Sequence, residues 1–282
     1  RRTTPPRCGM ARVFPPGPGA KPNTALPPAA TPAPPETANP KIVQLYPTPE
    51  RLPENVLRFY VEFNKPMARG DVYKHLSILD EKGKAVDQPF LELDEELWND
   101  EQTRLTLFID PGRIKRDVKP RDDLGPVFSS GKKYTFVIDG ALQDADGKKL
   151  GTAYRRAITT IPPISTSPDP ETWKLLPPSE KSTALRVQFP RVMDHYLLLR
   201  ALSVTDTKGT RIAGTAKTTN GETEWNFIPT KALDKGTYLL RIDSVLEDVS
   251  GNSVGHPFEV DIFHPIQKKI ETKIVTRKFE VK

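Results

Sequence analysis

Several stretches of this sequence of 282 residues hold residue types that do chemistry, and spacing decides whether each could. Gly125 to Lys132 carries the glycines and lysine of a phosphate loop, in which backbone N–H groups cradle phosphate and a following hydroxyl holds magnesium. The spacing is one residue too long, Lys133 stands where Ser or Thr is needed, and no strand-loop-helix pattern surrounds it. Asp144-Ala145-Asp146-Gly147, with its counterpart from Asp248 to Asn252, offers oxygen ligands to calcium, but no Glu follows at the distance a bidentate ligand requires. Asp and Gly are also what a tight turn demands, one accepting backbone N–H and the other supplying positive φ, so turns are expected at both places. Arg69-Gly70-Asp71 spells an integrin-binding tripeptide, short enough to arise by chance where a turn needs glycine. Glu95-Glu96 and Asp122-Asp123 are adjacent carboxylates, which point to opposite faces of an extended chain and do not form a glycosidase pair. The four histidines, His75, His195, His256 and His264, complete no metalloprotease motif, and no Gly-x-Ser-x-Gly elbow is present. The sequence therefore predicts no enzyme, no catalytic residue, no cofactor and no metal site.

Charge is placed unevenly. Residues 1–40 set Arg1, Arg2, Arg7, Arg12 and Lys21 against the single Glu36, and residues 264–282 hold six Lys/Arg against Glu271 and Glu280. The stretch between them is nearly balanced, so the overall charge of +6 belongs to the ends. Basic ends suit an acidic protein surface or phospholipid headgroups; nucleic acid is not expected, because no basic stripe interleaved with aromatics lies on the body. No apolar run approaches the roughly 20 residues of a membrane span. The chain opens at Arg1 rather than Met, which suits a processed, exported product. The one cysteine, Cys8, can form no internal disulfide. Its position invites a lipid-anchor reading, but Arg7 stands where Gly or Ala precedes lipidated cysteines, so a free thiol is expected.

The elements come from periodicity and punctuation. Residues 1–40 contain 12 of the 30 prolines, and Ala25–Pro35 is almost only Ala, Pro and Thr. Proline fixes φ and removes a donor, so this arm is expected to be extended polyproline II, reaching on the order of 120 Å at about 3.1 Å per residue. The remainder is duplicated. Val61-Glu62-Phe63 and Met67 are matched by Val187-Gln188-Phe189 and Met193, Asp80/Gly83 by Asp206/Gly209, and Ile138-Asp139 through Asp144 by Ile242-Asp243 through Asp248. Each copy shows period-two alternation, in Leu57–Phe63, Thr103–Ile109 and Tyr134–Ile138 and again in Leu185–Phe189, Trp225–Ile228 and Tyr238–Ile242. No segment shows a sustained helical stripe. The expected fold is all-β, two tandem immunoglobulin-like sandwiches at 41–161 and 171–263, joined by a stiff linker at 162–170 and followed by a basic tail at 264–282.

Aligned, the copies resemble a known module. A strand ending Phe-x-x-x-Met, a D-x-x-G hairpin, Tyr-x-x-x-Ile-Asp and a closing Asp-x-x-Gly are similar to the bacterial SbsA-type Ig-like domain, over both copies. The first copy, with Leu97-Trp98-Asn99 and the run from Leu105 to Lys115, looks like a subset of uncharacterised exported bacterial proteins. The resemblance implies a spacer or docking module of surface-layer, adhesion or envelope proteins. The arm, the insertions of copy one and the tail add the expectation of an extracytoplasmic scaffold held by other protein subunits of a larger, membrane-associated assembly. The second copy also resembles small copper-carrier sandwiches through Met193, His195 and His256, but the N-terminal His through which such carriers ligate is missing, so core Met and surface His are expected.

Function then falls to surfaces that bind partners. Copy one carries extra material at Pro89–Gln102, acidic around Phe90, Leu91, Leu97 and Trp98, and at Gly112–Gly131, with Arg113, Lys115, Arg116, Lys119 and Arg121. Trp and Arg are enriched at interface hot spots, and long loops on a rigid sandwich are where binding sits. Phe90, Trp98, Arg113, Lys115, Arg116, Lys119 and Arg121 are therefore candidate partner contacts, set against a loop whose Trp98 merely covers a sheet edge. Phe14 in the arm, with Val13 and Leu26, and Ile266 and Ile270 in the tail are further apolar candidates; the tail could add a strand to a partner. A carbohydrate- or ligand-binding adhesion module is the alternative, and a periplasmic copper protein the second alternative.

Overall fold

The computed structural model describes residues 39–114, 124–179, 182–256 and 274–282. Strands β1 (Ile42–Tyr46), β2 (Arg51–Pro53), β3 (Arg58–Phe63), β4 (Leu76–Leu79), β5 (Leu97–Trp98), β6 (Arg104–Phe108), β7 (Lys133–Ile138) and β8 (Tyr154–Ile161) build the first sandwich. Its two sheets have the orders β1-β3-β6-β5 and β2-β8-β7-β4. Strands β9 (Lys174–Leu176), β10 (Leu185–Gln188), β11 (Leu202–Asp206), β12 (Gly214–Thr219), β13 (Glu224–Pro229), β14 (Gly236–Asp243) and β15 (Ile274–Val281) build the second, in sheets β12-β13-β10-β9 and β11-β14-β15. The chain is all-β, with immunoglobulin-like sandwiches.

Alternation explains the two cores. Phe59, Val61 and Phe63 on β3 and Leu105 and Leu107 on β6 turn to the same side and meet Phe136 and Ile138 of β7. Leu185 and Val187 on β10, Trp225 and Phe227 on β13, and Leu240 and Ile242 on β14 do the same in the second core. Each such side chain contributes about 1.5–3 kcal/mol by leaving water. The duplication reaches the hydrogen bonds: Phe63 N donates to Thr103 O at 2.8 Å and Phe189 N to Thr223 O at 2.8 Å. Met67 forms an isolated bridge with Asp144, as Met193 does with Asp248, and both methionines are wholly buried.

The acidic turns are structural. Asp144 Oδ1 accepts from Asp146 N at 3.0 Å and Lys148 N at 2.8 Å, while Lys65 Nζ lies 2.8 Å from its other oxygen. Asp248 Oδ1 accepts from Ser250 N at 2.9 Å and Asn252 N at 3.0 Å, and Arg191 Nη1 is 3.1 Å from Oδ2. In each turn one carboxylate oxygen closes the loop through backbone N–H groups and the other meets a basic side chain of the same sandwich.

Two expectations need correction. The second sandwich does not end at 263 with a free tail from 264: β15 is its last strand, registered on β14 from Gly236↔Val281 to Asp243↔Ile274, with Phe279 and Val281 buried. Lys and Arg dominate the composition there and hide an alternation that presents Val275, Phe279 and Val281 to the core. Ile266 and Ile270 lie outside the described residues, as do residues 1–38. The second correction is a short helix, His195–Ala201, where the sequence shows no long stripe. Asp194 caps it, accepting from Leu197 N at 2.9 Å, and Leu197, Leu198 and Ala201 are buried, so tertiary packing supports what length alone cannot.

Candidate functional site

The insertions of copy one fold onto their own sandwich. Phe90 is 6% exposed, bridges Ile109, and sets its ring edge-on to Phe136 at 5.7 Å between centroids. Arg113 is 2% exposed; its Nε donates to Gly125 O at 2.9 Å and its Nη1 to Gln88 O at 2.9 Å and to Asp87 O. It thereby ties its own insertion to the chain just before the other. Neither residue can meet a partner, which corrects the expectation for both: an apolar side chain and a cation surrounded by carbonyls found better company inside. Trp98 is half-buried on edge strand β5, 5.8 Å from the Phe63 ring, with Nε1 donating to Glu96 Oε2 at 2.7 Å. It covers the sheet edge. Glu96 is buried, its other oxygen accepting from Val72 N at 2.7 Å, while Glu95 faces solvent, as adjacent residues of an extended chain must. Lys115, Arg116, Lys119, Arg121 and Phe14 lie outside the described residues.

The densest polar cluster lies where the sandwiches meet, on residues that no sequence motif singles out. Tyr60, on the outer side of β3, donates to Asp194 Oδ2 at 2.8 Å, both groups being buried. Arg58 pairs with the same carboxylate, Nε at 3.3 Å, and with Glu247. Tyr196, on the short helix, donates to Glu62, and the Arg104 guanidinium lies 4.0 Å over its ring. Tyr46 stacks on His195 at 3.6 Å, and buried Glu222 accepts from Thr48 N at 2.7 Å. At the other end Asn55 Nδ2 donates to Ile164 O at 2.7 Å and Ser250 Oγ to Asn55 Oδ1 at 2.9 Å, while Val249 of copy two enters the first core. Pro49 packs under the Asn220-Gly221 hairpin, where a Cβ on Gly221 would fall 2.8 Å from Pro49 Cγ.

Burial, reinforced by Asp194, pushes the Tyr60 phenol well above its ordinary value; burial and Glu62 do the same to Tyr196. Tyr46 is pushed up to about 12, by burial and then by Glu62 and Glu222. All three therefore stay protonated at physiological pH, Tyr60 and Tyr196 as hydrogen-bond donors to carboxylates. Such charge-assisted bonds are shorter and stronger than neutral ones, and here each joins one sandwich to the other. The signal that could have revealed them is Tyr60 and Glu62 on the face of β3 opposite the core, where copy two has Arg186 and Gln188.

A cleft of about 410 Å³ opens beside this junction, lined among others by Tyr46, Thr48, His195, Lys217 and Glu222. His195 is not the surface histidine expected. Its ring is held between Tyr46 and Tyr196, with Nδ1 2.9 Å from Thr218 Oγ1 and 3.8 Å from Glu222 Oε1. Met193 is buried in the core of the second sandwich and bridges Asp248. Among the described residues the large exposed apolar side chains are aliphatic: Val43, Leu97, Leu124, Ile228, Val245 and Ile274.

No protein-family model and no curated protein sequence matches the chain. Solved structures similar to it include the S-layer protein SbsC (17% identity over 72% of this chain and 23% of that one, TM-score 0.30). Others are a three-domain part of alpha-2-macroglobulin from Escherichia coli (10% identity, 72% and 65% covered, TM-score 0.29) and the Ig1-2 module of the Drosophila receptor tyrosine phosphatase DLAR (12% identity, 77% and 94% covered, TM-score 0.27). The chain spans less than a quarter of the SbsC chain's length. Likenesses at these scores carry no argument about function.

Proposed function

We propose that this chain is a non-catalytic scaffold of an extracytoplasmic, membrane-associated protein assembly, holding its partners at a set spacing. The observation that carries the reading is the junction: Tyr60–Asp194 and Asn55–Ser250, both buried, and Arg58–Glu247 and Tyr196–Glu62, half-buried, join the sandwiches through polar contacts. A tether needs none of this, since a flexible linker satisfies its polar groups with water. A spacer that must transmit position needs all of it. The linker follows the same logic, with Asn55 and Asn252 both donating to Ile164 O and Arg191 Nη1 to Thr166 O at 2.7 Å. The resemblance of the repeat to SbsA-type modules supports an extracytoplasmic setting, and the proline-rich composition of residues 1–40, with Phe14 among them, supports attachment through that arm.

The test uses the full chain with Cys8→Ser, Lys82→Cys and Lys231→Cys, spin-labelled at the two new thiols, one on each sandwich. Electron-electron resonance should give a single narrow distance distribution that Tyr60→Phe with Asn55→Ala broadens. A broad distribution in the parent would refute the scaffold reading.

A further inference from the structure

The sheet β12-β13-β10-β9 presents charge of one sign on its outer face. Leu185, Val187, Trp225 and Phe227 turn to the core, so their neighbours along β10 and β13 point outward. Cross-strand pairing sets Lys217 and Arg186 on either side of Asn226, with Lys174 one row on and Ile228 beyond. Lys174, Arg186 and Lys217 are exposed, and so is Ile228, at 40%. Glu224, the acid of these rows, is buried, and Gln188 Nε2 and Thr219 Oγ1 donate to it at 2.9 and 3.1 Å. Burial alone would raise it, but Gln188, Asn226 and Thr219, with Arg186 alongside, hold it below the usual carboxylate range. Its charge is thus answered within the sheet. The face offers a partner positive charge beside one aliphatic side chain.

The opposite pattern lies on the first sandwich. No Lys or Arg occurs between Val86 and Gln102, while Glu92, Asp94, Glu95, Asp100 and Glu101 are exposed. Leu97, on edge strand β5, is exposed at 37% among them. Among the described residues, the cation paired to these acids is Arg69, 3.5 Å from Glu95. Both patches stay exposed within one chain, so they do not neutralise each other.

We infer that the basic outer face of the second sandwich docks the acidic β5 edge of a second copy of this chain. Lys174, Arg186 and Lys217 meet the carboxylates of Glu92, Asp94 and Glu95, and Ile228 and Leu97 supply the aliphatic contact. The duplication supports this choice of face. The pairings Val61↔Leu105 and Val187↔Trp225 make it the counterpart of the face that carries Tyr60, Glu62 and Arg104. On the first sandwich that face already receives another sandwich, with Arg58 set against the carboxylates of Asp194 and Glu247. The face of one copy meets a different surface on the next, so the contact is heterologous. Each pair keeps one face and one edge free and can add further copies. The inference does not need the scaffold reading, because a hinged chain would associate through the same two patches.

Sedimentation velocity of the full chain with Cys8→Ser, over a hundredfold range of concentration, reads the association. The sedimentation coefficient should climb with concentration at low salt. Raising salt from about 50 to about 500 mM should weaken association at least tenfold, since screening shortens the Debye length to a few ångströms. A face variant, Arg186→Gln with Lys217→Glu, and an edge variant, Glu92→Lys with Asp94→Lys, change exposed side chains and should each stay single. Mixed, the two should form a one-to-one complex and stop there, because one supplies an intact edge and the other an intact face. That complex also shows that both variants are folded. A parent chain that stays single throughout, association indifferent to salt, an edge variant that associates like the parent, or a mixture that forms no complex would overturn the inference. Binding to phosphatidylglycerol vesicles without self-association would overturn it too, since the face would then be a site for lipid headgroups.

Discussion

Removing one oxygen atom tests the junction most directly. In Tyr60→Phe the ring keeps its packing and only the hydroxyl that donates to Asp194 Oδ2 at 2.8 Å is lost. Both partners are buried, at 7% and 2% exposure, so water cannot replace the bond. A hydrogen bond to a charged group is worth about 1.5–3 kcal/mol. Arg58 Nε stays 3.3 Å from the same oxygen and Leu197 N still donates to the other, so Asp194 is weakened rather than orphaned. The expected cost is therefore about 2 kcal/mol. For a body of this size, 1 kcal/mol moves the midpoint by about 2–4 °C, which gives a fall of about 4–8 °C by scanning calorimetry of the full chain. Tyr238→Phe is the control: its hydroxyl donates to Asp234 O at 3.2 Å in an exposed setting, and its loss should move the midpoint by less than about 2 °C. If Tyr60→Phe melts with the parent, or no lower than Tyr238→Phe, the junction bonds do not hold the sandwiches together.

Phe189→Ala should destabilise the second sandwich by about 3–5 kcal/mol, because a buried ring edge-on to Trp173 at 4.9 Å leaves a cavity; a denaturant midpoint checks it. The equivalent turn aspartates should answer pH with opposite signs. Burial alone would raise Asp144, but hydrogen bonds from Lys65 and the turn N–H groups lower it on balance, so its contribution exists above the ordinary 3.8 and is lost as pH falls through the lower folded value. Burial raises Asp248 despite Asn252 and Arg191, so its contribution weakens as pH rises through the folded value. Relative to the parent, Asp144→Asn should thus lose stability as pH rises towards 3.8, and Asp248→Asn should gain it as pH rises above 3.8, read from urea midpoints. Deleting residues 1–38 should leave the melting of the sandwiches within about 1 °C while releasing the chain from its assembly in a pull-down from native membranes. Elemental analysis of purified protein should find no stoichiometric calcium, zinc or copper, and about one metal per chain lost with Asp248→Ala would refute the turn reading.

Local signals make the sandwiches legible in the sequence. Alternation in Leu57–Phe63 and Trp225–Ile228 forces one face inward whatever the surroundings, and the Asp80 and Asp206 carboxylates close turns by accepting from the N–H groups two and four residues on. The repeat then pairs Phe63 with Phe189 and Met67 with Met193, all buried as equivalents. Nothing local decides where an insertion goes. Phe90 and Arg113 read as exposed hot-spot types, yet Phe90 fills its own core and Arg113 finds its carbonyls 11 to 26 positions away. The junction is hidden for the same reason. Tyr60 meets Asp194, and Tyr196 meets Glu62, across 134 positions, and nothing near either residue announces the other. Strand β15 is obscured differently, its basic residues on the solvent face masking the Phe279 and Val281 that β14 selects. Periodicity and turn chemistry are properties of neighbours in the chain, so sequence determines them. Which polar group meets which across two finished sandwiches depends on how complete sheets pack, and only the tertiary structure decides that.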